Sequence, residues 1–152
     1  MRKKIALIWF RQDLRLSDNP AFSEACSENE QIIALYILDK QISPLGAAQA
    51  WWLHHSLVSL SASLQKRGLN LLLRQGNPTE IIPQLTQELS VDIVCWNHCY
   101  QPLAIRQETK IKSLLAQQGV LVKSSNGSLF NEPWNIKNKN GFIKIWHVFR
   151  FR

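Results

Sequence analysis

The chain lacks any apolar run approaching the roughly 20 residues needed to span a bilayer. Its first apolar stretch, Ile5 to Phe10 behind Arg2, Lys3 and Lys4, is too short for a signal peptide. A membrane partner is set aside and a cytoplasmic protein is expected. Cysteine is scarce, and Cys26, Cys95 and Cys99 are odd in number with no second pair at zinc-ligand spacing. That excludes a disulfide framework and leaves reduced, partly buried thiols. Cys95 and Cys99, four apart around Trp96, Asn97 and His98, read as packing residues rather than metal or redox ligands. A GxGxxG loop, a P-loop and a GxSxG elbow are all missing, which removes the usual dinucleotide, phosphate and acyl-transfer sites. No catalytic residue and no metal site is assigned. Internal repeats and low-complexity tracts are absent as well.

What is present suits one folded domain. The 152 residues are 45% hydrophobic and 19% charged, ordinary values for a soluble globular chain and wrong for a disordered one. A chain of this length buries roughly two-thirds of its unfolded surface. The net charge of +7 resides mostly at one end: Lys137, Lys139, Lys144, Arg150 and Arg152 follow residue 133 with no acid among them, which leaves +2 for the rest. A scattered basic tail reads as a solubilising or unfinished end rather than a nucleic-acid surface, and the body of the chain carries no aromatic-basic repeat suited to stacking bases.

Apolar runs alternate with helical patterns, the signature of parallel strands joined by crossover helices. Strands are expected at Ile5–Trp9, Gln31–Leu38, Asn70–Arg74, Val91–Trp96 and Val120–Lys123. Helices are expected from Asn19-Pro20 to about Cys26, over Ala47–Lys66 with Gly68 closing it, over Thr79–Leu89 and over Pro102–Gln118. In the longest helix Trp51, Leu53, Leu57, Leu60 and Leu64 form the apolar stripe, so one of Trp51 and Trp52 is expected in the core and the other toward a ligand. The fold class is α/β, a doubly wound, Rossmann-like five-stranded parallel sheet with helices on both faces. Residues 124–141 read as a turn-rich connector.

Such sheets bind ligands at their carboxyl edge, where Trp9-Phe10-Arg11-Gln12-Asp13-Leu14-Arg15-Leu16-Ser17-Asp18-Asn19-Pro20 follows the first strand. Arg11, Asp13, Arg15 and Asp18 alternate in sign; they read as mutual ion pairs fixing the loop, which can also face a bound chromophore or an adjoining domain. His54 and His55 read as exposed helix residues, whereas His98, just after the fourth strand, is the histidine placed for ligand contact.

The motifs resemble those of the DNA photolyase and cryptochrome family. They are the 9–20 segment, Tyr36-Ile37-Leu38-Asp39, Trp51 to Leu57, Arg74 to Pro78, Trp96 to Pro102, and Asn126-Gly127-Ser128-Leu129-Phe130 with Glu132-Pro133-Trp134. The nearest resemblance is to bacterial class I cyclobutane pyrimidine dimer photolyases. The resemblance implies an N-terminal light-harvesting domain over residues 1–123 and a connector over 124–152 toward a separate helical domain that binds FAD and the flipped-out dimer. The family activity, that of a lyase splitting pyrimidine dimers in damaged DNA, then belongs to the full-length enzyme, and the 152 residues alone are expected to be inactive.

The resemblance also implies an antenna chromophore. Leu103-Ala104 stand where folate-binding relatives carry an Asn-Glu pair, so a deazaflavin or flavin is expected rather than a folate. Its binding residues are expected to be Phe10, Arg11, Tyr36, Leu38, Asp39, Trp52, Asn97, His98 and Gln101, whose aromatic and aliphatic walls with a few polar groups suit a planar heterocycle. Two departures stand out. The segment Leu103 to Glu108 puts the family's ion pairs at this point in question, and Ile143, Trp146, His147 and Val148 break the family's linker pattern, as a frameshift or decayed reading frame would. The other readings are a stand-alone truncated or degenerate domain that binds a small molecule or nothing, and a generic nucleotide-binding module, against which the missing glycine-rich loop speaks.

Overall fold

The computed structural model describes residues 3–29, 31–39, 46–127, 137–138 and 141–142. Strands β1 (Ile5–Phe10), β2 (Gln31–Leu38), β3 (Leu71–Gln75), β4 (Ile93–Asn97) and β5 (Leu121–Ser125) alternate with helices α1 (Pro20–Glu28), α2 (Ala47–Gln65), α3 (Pro78–Glu88) and α4 (Pro102–Gln117). The sheet order is β3-β2-β1-β4-β5 with every pairing parallel, the doubly wound arrangement expected from the alternating pattern. Beyond it, β6 (Lys137–Asn138) and β7 (Gly141–Phe142) pair antiparallel. The motif residues Ser128 to Phe130, the turn at Glu132-Pro133-Trp134 and the basic residues Lys139, Lys144, Arg150 and Arg152 lie outside the described residues, as do Ile143, Trp146, His147 and Val148.

Strand alternation divides the core in two. Ala6, Ile8 and Phe10 point to one face and pack with Ala21, Phe22 and Ala25 of α1 and Leu60 and Leu64 of α2. Leu7 and Trp9 point to the other and pack with Ile82 and Leu85 of α3 and Ile111 and Leu115 of α4. Burying each such large aliphatic or aromatic side chain is worth about 1.5–3 kcal/mol. Because both faces of β1 and β4 are covered, these strands read as unbroken apolar runs.

The helix ends follow local rules. Asn19 caps α1, its Oδ1 accepting from the Phe22 amide at 3.1 Å, with Pro20 in the first turn. Asn77 caps α3 in the same way, accepting from the Thr79 amide at 3.1 Å. Past α2 the chain turns at Gly68 with φ of 74°, a left-handed conformation that glycine adopts without penalty.

Two expectations fail. Neither Trp51 nor Trp52 is core: they are 58% and 67% exposed and meet each other edge-on, with ring centroids 5.6 Å apart. The inward face of α2 is set by Leu53, Leu57, Leu60 and Leu64, and Trp51, two residues before Leu53, falls about 200° away from it at 3.6 residues per turn. Cys26 is exposed rather than partly buried, since Ala21, Phe22 and Ala25 already define the inward stripe of α1.

A polar knot ties the β1–α1 loop to the end of β4. The Asn97 amide donates to Asn19 Oδ1 at 2.8 Å and to Asp13 Oδ2, while Asn97 Oδ1 accepts from the Ala21 amide at 3.2 Å. Asn97 is 4% exposed, and a Cβ at Gly127 would lie 2.7 Å from its Cγ. Asn97 has no room to retreat without giving up these bonds. Gly127→Ala is therefore expected to destabilise the domain by about 1–3 kcal/mol through overpacking. Urea unfolding measures this against Gln117→Ala, a change at an exposed position of α4 expected to stay within about 0.5 kcal/mol.

Candidate functional site

The β1–α1 loop, the end of β2, the first half of α2 and the start of α4 enclose a cavity of about 290 Å³ at the carboxyl edge of the sheet. It lies where the strand order reverses, β1 having β2 on one side and β4 on the other, which is the usual ligand position in such sheets. Its volume is at the lower end of small-molecule sites, roughly 300–1,000 Å³. Trp9, Leu14, Tyr36, Leu38, Trp52, Leu53 and Ala104 supply apolar wall; Arg11, Gln12, Asp39, Ser56, Gln101 and Gln107 supply polar groups.

Arg11 is held by a buried carboxylate. Its guanidinium lies over the Trp9 ring, 4.3 Å from the centroid, and pairs with Glu108, which is 5% exposed. Glu108 also accepts from the Cys99 amide at 3.0 Å and meets His98 Nδ1 at 2.8 Å. Burial alone would raise the Glu108 pKa, but the Cys99 amide, His98 and Arg11 together outweigh it and hold the carboxyl below its ordinary value. Burial pushes the Tyr36 phenol and the Cys99 thiol upward, so both stay protonated at neutral pH. On the opposite wall Gln107 Nε2 donates to Asp39 Oδ2 at 2.7 Å and links α4 to the end of β2. Gln107 Oε1 is buried without a partner among the described residues.

Of the nine residues singled out in the sequence, Arg11, Tyr36, Leu38, Asp39, Trp52 and Gln101 line this cavity. Phe10 does not: it is fully buried and packs on Phe22, with ring centroids 6.5 Å apart, because alternation along β1 sends Trp9 toward the cavity instead. Asn97 sits in the polar knot and His98 against Glu108, both behind the wall. His54 and His55 are exposed on α2.

The loop charges do not pair with one another as expected. Arg11 pairs with Glu108, Asp13 accepts from the Arg11 amide at 3.1 Å and from Asn97 and Asn19, and Arg15 donates to the carbonyls of Asp18 and Gly127, each at 3.0 Å. The segment whose ion pairs were in question supplies one after all, through Glu108. Glu108 and Gln107 were not among the sequence candidates. The available signal was helical spacing, since Ala104, Glu108, Ile111 and Leu115 form the buried face of α4.

Fold and cavity together define a doubly wound, Rossmann-like α/β domain with a crevice at its topological switch point. The chain belongs to the DNA photolyase family, whose model, described as DNA photolyase, matches residues 6–151. It is 42% identical over 135 residues to a deoxyribodipyrimidine photo-lyase of Agrobacterium fabrum, covering 89% of this chain and 28% of that protein. The structure is similar to that of a bacterial class III photolyase from Agrobacterium tumefaciens, with a TM-score of 0.87 at 40% identity, covering 93% of this chain and 30% of the other. An archaeal photolyase from Sulfolobus tokodaii, solved with two FAD molecules, gives a TM-score of 0.78 at 25% identity, covering 88% of this chain and 32% of the other. The chain thus spans under a third of the length of these relatives.

Among the described residues no group of three or more His, Cys, Asp or Glu could hold a metal ion, and no helix is long and apolar enough to cross a membrane.

Glu108→Ala leaves Arg11 buried without its partner, so a loss of about 3–5 kcal/mol is expected at pH 7. The folded-state pKa of Glu108 is depressed; its stabilisation is therefore full above the unfolded value of 4.5 and lost as the pH falls through the folded value. Unfolding of both proteins as a function of pH should show the gap narrowing below pH 4.5. An equal gap at pH 3 and pH 7 would contradict the depressed pKa.

Proposed function

We propose that the chain is the light-harvesting domain of a deoxyribodipyrimidine photolyase and that its cavity holds the antenna chromophore, a planar heterocycle of the deazaflavin or flavin kind. The observation that carries this reading is the cavity at the switch point, with Tyr36, Leu38, Trp52 and Leu53 on its walls and a buried acceptor, Gln107 Oε1, without a partner among the described residues. These residues fit a flat ring that has a polar edge. Bound there, such a group supplies absorption of near-ultraviolet or blue light and onward transfer of the excitation energy.

The protein's own part is to bind and to shield. The neutral phenol of Tyr36 and the neutral thiol of Cys99 add no charge to the wall. Glu108 fixes Arg11 against Trp9, so the guanidinium does not collapse into the space. Trp52, 67% exposed and at the mouth, has an indole face available for stacking.

In the whole protein, residues 1–123 would form the antenna unit and 124–152 the connection to a helical domain that binds FAD and the extruded dimer in damaged DNA. Repair would take place there, in the cytoplasm. Class I, expected from the motifs, and class III, named for the Agrobacterium tumefaciens structure, are both compatible with this domain.

Titration of the purified 152-residue chain with flavin mononucleotide, followed by quenching of flavin fluorescence, is expected to saturate at one equivalent. Trp52→Ala is expected to weaken binding about tenfold through loss of stacking. The chain alone, given FAD and near-ultraviolet light, is expected to repair no dimers. Measurable repair by the pure chain would overturn the division of labour proposed.

A further inference from the structure

We infer that Gln107 decides which heterocycle the cavity accepts, its Oε1 taking a hydrogen bond from an N–H on the edge of the bound ring. This rests on the chromophore reading of the cavity and deepens it.

Two buried side-chain polar atoms lack a partner among the described residues, Trp96 Nε1 and Gln107 Oε1, and of the two residues Gln107 lines the cavity. Buried polar atoms in native proteins are nearly always paired, so an orphan on a cavity wall points to a partner supplied from within the cavity.

The orientation of the amide follows from its neighbour. Gln107 Nε2 lies 2.7 Å from Asp39 Oδ2; the reversed amide would set a carbonyl oxygen against a carboxylate, two acceptors with no proton between them. Asp39 therefore takes one N–H of the NH₂ group and fixes the carbonyl as the side-chain atom left without a partner among the described residues. The terminal dihedral of glutamine is broad, so a modest swing brings Oε1 onto an incoming donor while Nε2 stays with Asp39.

The chemistry selected is a ring whose edge carries an N–H, as in an imide or an aminopyrimidinone. A ring that is N-methylated at that edge offers no proton and places a methyl group against the carbonyl.

The test uses flavin mononucleotide and pterin, each beside its N3-methyl derivative, titrated into the wild-type chain and its variants. Wild type is expected to bind the N3–H form of at least one probe about tenfold more tightly than its methylated form, the usual consequence of leaving one buried partner unpaired. Gln107→Leu is expected to bind both forms with the weaker affinity. Asp39→Asn combined with Gln107→Glu keeps one donor–acceptor contact and one spare acceptor, and is expected to restore the preference.

Equal binding of N3–H and N3-methyl probes by wild type, or tight binding by Gln107→Leu, would overturn the role of Gln107. If Trp52→Ala still weakened binding in that case, the chromophore reading would stand without it. No binding of either heterocycle to the wild-type chain would overturn both.

Discussion

A carboxylate taken out of water must find enough donors to replace its hydration, and in this domain Glu108 finds them in three places at once. Arg11 comes from the end of β1, His98 and the Cys99 amide from the end of β4, and Glu108 itself from α4. The cluster therefore joins the two central strands at the point where the sheet reverses its order. Removing any one partner leaves a buried charge or donor unpaired, which is why such clusters hold geometry more firmly than their net energy suggests.

The cavity depends on that constraint. With the Arg11 guanidinium held over the Trp9 ring, the space beyond the strand ends stays open and keeps its apolar wall. The neighbouring knot of Asn97, Asn19 and Asp13 does the same for the loop, tying the start of α1 to the end of β4. A small rigid crevice gives up little ordering entropy on binding, which favours a flat, stiff ligand.

Much of the scaffold was legible locally. Asn19-Pro20 and Asn77-Pro78 announce helix starts within four residues, and β2 is bounded as its apolar run suggests, at Gln31 and Leu38. The site was legible in part. Arg11, Tyr36 and Asp39 sit at strand ends, and placing the strands places them. Phe10 was misplaced by a single step of alternation, which turns a wall residue into a core one. Glu108 shares the helical spacing of Ala104, Ile111 and Leu115, which marks it as facing inward, but its arginine partner is 97 positions away in sequence and no local pattern reveals that pairing. Gln107 stands out because its Oε1 has no partner among the described residues, which becomes visible only once the fold has brought its surroundings together.

The most direct test is to map the ligand's position by amide chemical shifts of the isotopically labelled 152-residue chain on addition of flavin mononucleotide or pterin. A bound ring in the crevice should perturb residues 11–14, 36–39, 52–56 and 99–107 while leaving β3, α3 beyond its first turn and β5 unmoved. Perturbations confined to other surfaces, or none with either compound at saturating concentration, would contradict the proposal that this cavity is the chromophore site.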